Sequence, residues 1–163
     1  MINLRRTALS IILLSSVTSA GFAAAAYNPD QLAEFNRMNV CFGCDLSGAT
    51  LSGNHSNAVL NSTNLTGSRG MGTFSASNFS GSNLSSANWS ESNLSYSQLS
   101  YIPLIKTNFT SADLSYTNFE GSNTNDAIFD GANLYGSNIS QQQLDNAASY
   151  CWATLPNGVK KNC

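Results

Sequence analysis

Four cysteines, one histidine and nine carboxylates are the groups through which this 163-residue chain could do chemistry. Cys41 and Cys44 stand in C-x-x-C spacing, which suits a redox dithiol or half a zinc site, but the βαβ setting of a redox motif is missing. His55 is the only histidine, so a multi-histidine metal site is excluded. In the turn-like run GNHSN it reads as a solvated side chain rather than a general base. Asp113, Glu120, Asp126, Asp130 and Asp145 lack the pairing of acid–base carboxylates and the clustering of a calcium loop. The stretch GSRGMG, Gly67 to Gly72, has neither the lysine nor the strand-to-helix context of a phosphate loop. No constellation converges, so the chain is expected to be no enzyme and to carry neither cofactor nor metal.

Charge removes further classes. Seven Lys+Arg against nine Asp+Glu leave no basic face for nucleic acid and no acidic run that would imitate one. The first residues have the form of an export signal. Arg5 and Arg6 precede the apolar ALSIILLSSV, and small residues follow up to GFAAAAY, with cleavage after Ala23, Ala25 or Ala26. Residues 1–26 are therefore expected to be a signal peptide. The remaining chain is mildly acidic and exported, periplasmic or secreted, with no stable membrane insertion once the signal is gone.

What must position any site is a repeat of five. Large apolar residues recur at Phe74, Phe79, Leu84, Trp89, Leu94, Leu99, Leu104, Phe109, Leu114, Phe119, Phe129, Leu134 and Ile139, with only Thr124 polar among the in-phase centres. Calling each centre i, position i−2 is small (Ser77, Ala87, Thr107, Ala112), Ile102 excepted, and i−1 is mostly Asn or Asp. A helix repeats its buried face at about 3.6 residues and a strand at about 2. Five fits neither. If i and i−2 point inward as on a strand, the other three residues turn a corner, for which Ser, Asn, Asp and Gly are suited. Such a chain winds into stacked coils joined as parallel strands. Upstream, Leu46 and Leu51 are in phase, then Leu60 and Leu65, so each gap of nine leaves one face a residue short. GNHSN and GSRGMG are then faces without an apolar centre, or the second is an excursion loop.

The units ADLSY (Ala112–Tyr116), ANLYG (Ala132–Gly136) and ANWSE (Ala87–Glu91) resemble the A-[DN]-L-x-x consensus of the pentapeptide-repeat family. The segment CxxCDLSGATLSG and the TLPNG…C tail are similar to flanks of its exported members. The resemblance implies an all-β fold: a right-handed quadrilateral parallel β-helix of about five coils, four units to a coil, with short helical caps at both ends. Residues 27–40 are expected to be an N-terminal capping helix, with Asn28 as N-cap, Pro29 at N1 and Leu32, Phe35 and Met38 on the first coil. Residues 41–139 form the solenoid, ending at Ile139 because Gln142 occupies the next i−2 position. Residues 140–163 close it with a Ser140/Gln143 capping box and a disulfide-closed turn. A rod of that length keeps its ends apart, so Cys41 pairs with Cys44 and Cys151 with Cys163.

With four units to a coil, residues twenty apart fall in register. Tyr96 and Tyr116, both at i+2, become neighbours, and Tyr135 lies one position off on the coil beyond. Tyr101 and Ile105 stand at the margin. This strip is the candidate surface for an unidentified protein partner or for self-association. The leading expectation is thus a non-enzymatic exported binding or structural scaffold acting through a flat solenoid face. The family also implies an alternative, members that bind DNA gyrase by imitating DNA, which the export signal and low acidity disfavour. A further alternative is an ice- or glycan-binding surface built on the ladder Ser75, Ser95 and Ser115.

Overall fold

The computed structural model describes residues 27–163. The expected signal peptide, residues 1–26, lies outside the described residues. Each five-residue unit is a turn whose parts explain the sequence pattern. The side chain at i−1 accepts from the backbone N–H at i+1, as Asn83 does from Ser85 at 2.9 Å and Asn93 from Ser95 at 3.0 Å. That is the Asx bond for which Asn and Asp are selected. The carbonyl at i accepts from the N–H at i+3 (Ala87 to Leu84, 3.0 Å), and the residue at i+2 is left-handed, as in a type II turn: Ser86, Glu91, Tyr96, Tyr101 and Lys106 all have φ near 60°. Small hydroxyls at i−2 lie inside, where several donate to a carbonyl of the coil before, while Ser92 and Ser122 donate within their own coil, to Trp89 O and Phe119 O. Ser97 reaches Phe74 O at 2.8 Å, Thr107 reaches Leu84 O at 2.7 Å and Thr117 reaches Leu94 O at 2.9 Å. Burial leaves these hydroxyls satisfied, with the Ser137 hydroxyl the exception among the described residues.

Parallel bridges join successive coils, and the inward residues stack in four columns. Leu46, Leu65, Leu84, Leu104, Thr124 and Leu144 make one; Leu51, Gly70, Trp89, Phe109 and Phe129 another. The third holds His55, Phe74, Leu94, Leu114 and Leu134, and the fourth Cys41, Leu60, Phe79, Leu99, Phe119 and Ile139. All are buried. In the later coils partners are twenty residues apart, as for Asn88 and Asn108. In the first coils they are nineteen apart, as for Asp45 and Asn64.

The missing residue has a visible consequence. β1 (Thr50–Asn54) and β2 (Arg69–Thr73) are the only regular strands among the described residues, and they pair in parallel, Thr50 with Arg69 through Asn54 with Thr73. With four residues between centres instead of five the usual turn is missing, and the ladder runs unbroken through the corner, which Gly53 and Gly72 take at positive φ. Both supposed gaps are faces of the coil, and GSRGMG is not an excursion loop. Gly72, at φ 140°, lies so close to the neighbouring strand that a Cβ would sit 2.2 Å from Gly53 O. His55 is not solvated: 6% exposed, it fills a centre between the rings of Phe35 (4.6 Å) and Phe74 (5.2 Å). Gly70 is the other substitute centre. A Cβ there would meet the Trp89 ring at 2.3 Å, so the indole of the next coil occupies its volume.

Both ends are covered. α1 (Pro29–Met38) is capped by Asn28, which accepts from the Asp30 and Gln31 N–H groups, and it seats Phe35 on the first coil. Met38 is exposed rather than seated, because the helix ends at the left-handed Asn39 and its last turn faces away. At the far end α2 (Gln141–Asn146) carries the full Ser140/Gln143 capping box. The ladder does not stop at Ile139. Leu144 continues its column from within α2, and rungs resume at Ile128–Ser149 and Asn133–Thr154. Polar Gln142 is accommodated because the chain is helical there, so its position is not an inward i−2. Lys160 then pairs antiparallel with Thr154 and covers the last edge. Disulfides join Cys41 to Cys44 and Cys151 to Cys163, the local pairing expected.

Candidate binding surface

The turn geometry decides where the tyrosines go. Tyr96 and Tyr116 occupy left-handed i+2 positions, whose side chains leave the coil sideways and lie along the rod. Their rings stack, with centroids 4.8 Å apart and planes 9° off parallel. Tyr135 meets Tyr116 edge-on at 5.6 Å. The column ends on a glycine: a Cβ at Gly136 would lie 2.6 Å from the Tyr116 ring, so the ring rests on bare backbone. Beyond Tyr135 comes Gly158 of the C-terminal cover, where a Cβ would lie 3.5 Å from the Tyr135 ring. All three rings remain about half exposed. Partial desolvation pushes the Tyr116 hydroxyl above its ordinary pKa, and the neighbouring Tyr135 and Tyr96 add to the effect.

Tyr101 and Ile105 are not brought into this group. Tyr101 lies on the next corner over Gly121, and its hydroxyl donates to Glu120. That bond and the carboxylate charge raise its pKa. Ile105 stands a further unit along, partly buried. The serine ladder is also unlike a free hydroxyl array. Ser95 and Ser115 are each 8% exposed, and the Ser95 hydroxyl is spent on Asn93 Oδ1 at 2.7 Å.

A second exposed apolar group was not singled out by periodicity. Met38, Val40, Phe42 and Val59 all project at the N-terminal end. The signal was present: Val40 and Val59 hold i−1 positions, where Asn is the rule. Among the described residues no three His, Cys, Asp or Glu lie where they could hold a metal ion, and no helix is long and apolar enough to cross a membrane.

The repeat geometry has a counterpart among known proteins. Residues 74–110 and 112–147 match the model for pentapeptide repeats, in eight copies. Residues 74–147 are pentapeptide repeats. The match begins where the coils become regular and leaves out the two short faces. No curated protein matches the sequence. Among solved structures, HetL, a pentapeptide repeat protein involved in heterocyst differentiation regulation in Nostoc sp. strain PCC 7120, is 18% identical with a TM-score of 0.56. The similarity covers 75% of this chain and 55% of HetL, so the chain spans little more than half of HetL's length. At that identity the likeness is one of fold. A pentapeptide repeat protein of the cyanobacterium Cyanothece 51142 is 26% identical (TM-score 0.44; 69% of this chain, 88% of that one). One from the Arabidopsis thaliana thylakoid lumen is 19% identical (TM-score 0.46; 77% and 90%).

Proposed function

We propose that the chain is an exported, non-enzymatic scaffold that binds a protein partner along the tyrosine strip Tyr96, Tyr116 and Tyr135. In this reading the solenoid is a right-handed rod of about five coils, the hand favoured for parallel crossovers. Residues 27–40 and 140–163 are its end covers, and residues 1–26 its export signal. The observation that carries the reading is the ring contact of three tyrosines on an otherwise Ser- and Asn-rich surface. Rigid aromatic rings with wet hydroxyls bury apolar area at low entropic cost, which suits a flat binding strip without a pocket. Two local disulfides are consistent with an oxidising compartment. The few carboxylates argue against imitation of DNA.

The test is the double variant Tyr96→Ser/Tyr116→Ser, compared with the wild-type protein as bait in the exported fraction. A partner held by the wild type should be lost from the variant, while stability falls by only about 1 kcal/mol, the worth of an exposed ring pair. Full retention of every partner, or unfolding of the variant, would reduce the strip to a surface covering.

A further inference from the structure

The outward columns break their own rule at the N-terminal end. Position i−1 carries Asn in Asn64, Asn83, Asn88 and Asn93, where it closes the Asx bond. Before Cys41 and Leu60 it carries Val40 and Val59, which face each other rung to rung and are both exposed. Beside them stands Phe42, 75% exposed, more than any other large apolar side chain among the described residues. Phe42 is not on a loose loop. The Cys41–Cys44 disulfide closes it into four residues, and the Gly43 N–H donates to Asn61 O at 3.0 Å. Next to the ring, between α1 and the disulfide loop, lies a groove of about 300 Å³ lined by Gln31, Glu34, Val40, Cys41, Phe42 and Cys44.

We propose that this end is a self-association surface on which a second copy of the chain docks about a twofold axis, each Phe42 entering the groove beside the other's Phe42. The occupant follows from where the parts lie. A projecting ring and an adjoining groove on one patch are what an isologous contact requires, since each copy supplies both halves. Charge permits the meeting: Val40, Phe42 and Val59 are uncharged, and Glu34 at the groove is paired with Arg37 at 3.6 Å. The exposed parts of Val40, Phe42 and Val59 amount to roughly a few hundred Å², below the standard interface of about 800 Å² per partner. The dimer is therefore of the weak, reversible class. It also depends on the disulfide, because reduction would release the loop that holds the ring.

Sedimentation equilibrium of the protein recovered after export, across the micromolar range, tests this. A monomer–dimer equilibrium is expected, weakened about tenfold or more by Phe42→Ser with no change in melting temperature. Val59→Asn, which installs the residue normal to its column, should weaken it as well and guards against misfolding of the first variant. Mild reduction should shift the wild type towards monomer. The Tyr96→Ser/Tyr116→Ser variant should dimerise like the wild type, which separates this surface from the tyrosine strip. A wild type monomeric throughout, meaning that the patch serves some other occupant, would overturn the proposal. So would a dimer indifferent to both Phe42→Ser and Val59→Asn, or one lost only in the tyrosine variant.

Discussion

The coils before Phe74 and those after it are built from the same four columns on different counts of residues. From the rung Thr73–Asn93 to the rung Asp113–Asn133 each turn of the ladder takes twenty residues, while between Asn54 and Thr73 it takes nineteen. The difference falls on one side, where β1 lies on β2 and a continuous ladder with positive-φ glycines replaces the usual turn. What the fold conserves is therefore the column, not the five-residue step. The centres show the same thing by volume. In the regular coils each centre but Thr124 fills its own level with Leu, Phe or Ile. In the short ones Gly70 contributes nothing and Trp89 of the next coil fills both levels. Packing is balanced between coils as well as within a unit.

The comparison breaks most completely if a regular centre is not dry. Leu94→Asp places an unpaired carboxylate between the fully buried side chains of Phe74 and Leu114. A cost above about 4 kcal/mol is expected, enough to prevent folding. Ser111→Asp, at an exposed left-handed corner, is the control and should be nearly neutral. Circular dichroism and yield of soluble protein decide it. Equal damage from both would mean that inside and outside have been confused.

Volume sharing is tested at Gly70. Its φ is not in the left-handed region, so Gly70→Ala carries no backbone penalty and acts only through the Trp89 ring. Overpacking should cost about 1–3 kcal/mol. In the Trp89→Leu background the same change should cost much less, or gain, because the ring no longer fills the space. Urea unfolding of the four proteins gives the coupling, and purely additive effects would refute shared packing.

These two sites also mark where the sequence is legible. Leu94 is readable because a period of five repeated over many units leaves one phase for the interior, and the structure buries that phase. Gly70 was opaque: nothing in GSRGMG says that a tryptophan nineteen residues on lies over it. His55 was misread for a related reason. Local composition pointed to solvent, but the column supplied aromatic rings above and below. The tyrosine neighbours followed from arithmetic on the regular coils, whereas the Val40, Phe42 and Val59 patch lies where the arithmetic starts. There, departure from the Asn rule was the only cue.

His55 sharpens the contrast further, since no regular coil has an ionisable centre. Its Nδ1 lies 2.9 Å from Asn39 Oδ1 and its Nε2 3.2 Å from Ser52 O. Burial between the rings lowers its pKa, and the Ser52 carbonyl partly opposes this. The unfolded chain therefore binds the proton first. Stability is full above the ordinary pKa of about 6.5 and is lost as pH falls below it, at up to about 1.4 kcal/mol per unit of lowering. No charged side chain contributes to the shift. Melting temperature should fall between about pH 7 and 5 in the wild type and stay flat in His55→Leu, a window above most carboxylate titration. Parallel slopes in the two proteins would show that the first coil is no more pH-sensitive than the rest.

Thr124 is the regular coils' own polar centre, and there the smallest effect is expected. It sits in the column between Leu104 and Leu144, fully buried, with its hydroxyl donating to Gln143 O at 2.7 Å. Like His55 with Asn39, it directs its polarity to a cover. Gln143 is held independently, because its Nε2 donates to Phe119 O at 2.7 Å and Ser122 O at 3.0 Å. Thr124→Val keeps the shape, forfeits one hydrogen bond worth about 1 kcal/mol and gains a buried methyl worth about the same. The net change should stay below about 1 kcal/mol. The local effect should be larger than the global one: the Leu144 amide, bonded to Ser140 O at 3.1 Å, should exchange faster as α2 loosens, while amides of the Leu94 level keep their protection. A loss as large as that of Gly70→Ala would mean that the polar centre holds the column itself. Unchanged exchange at Leu144 would mean that the capping box and Gln143 alone secure the far cover.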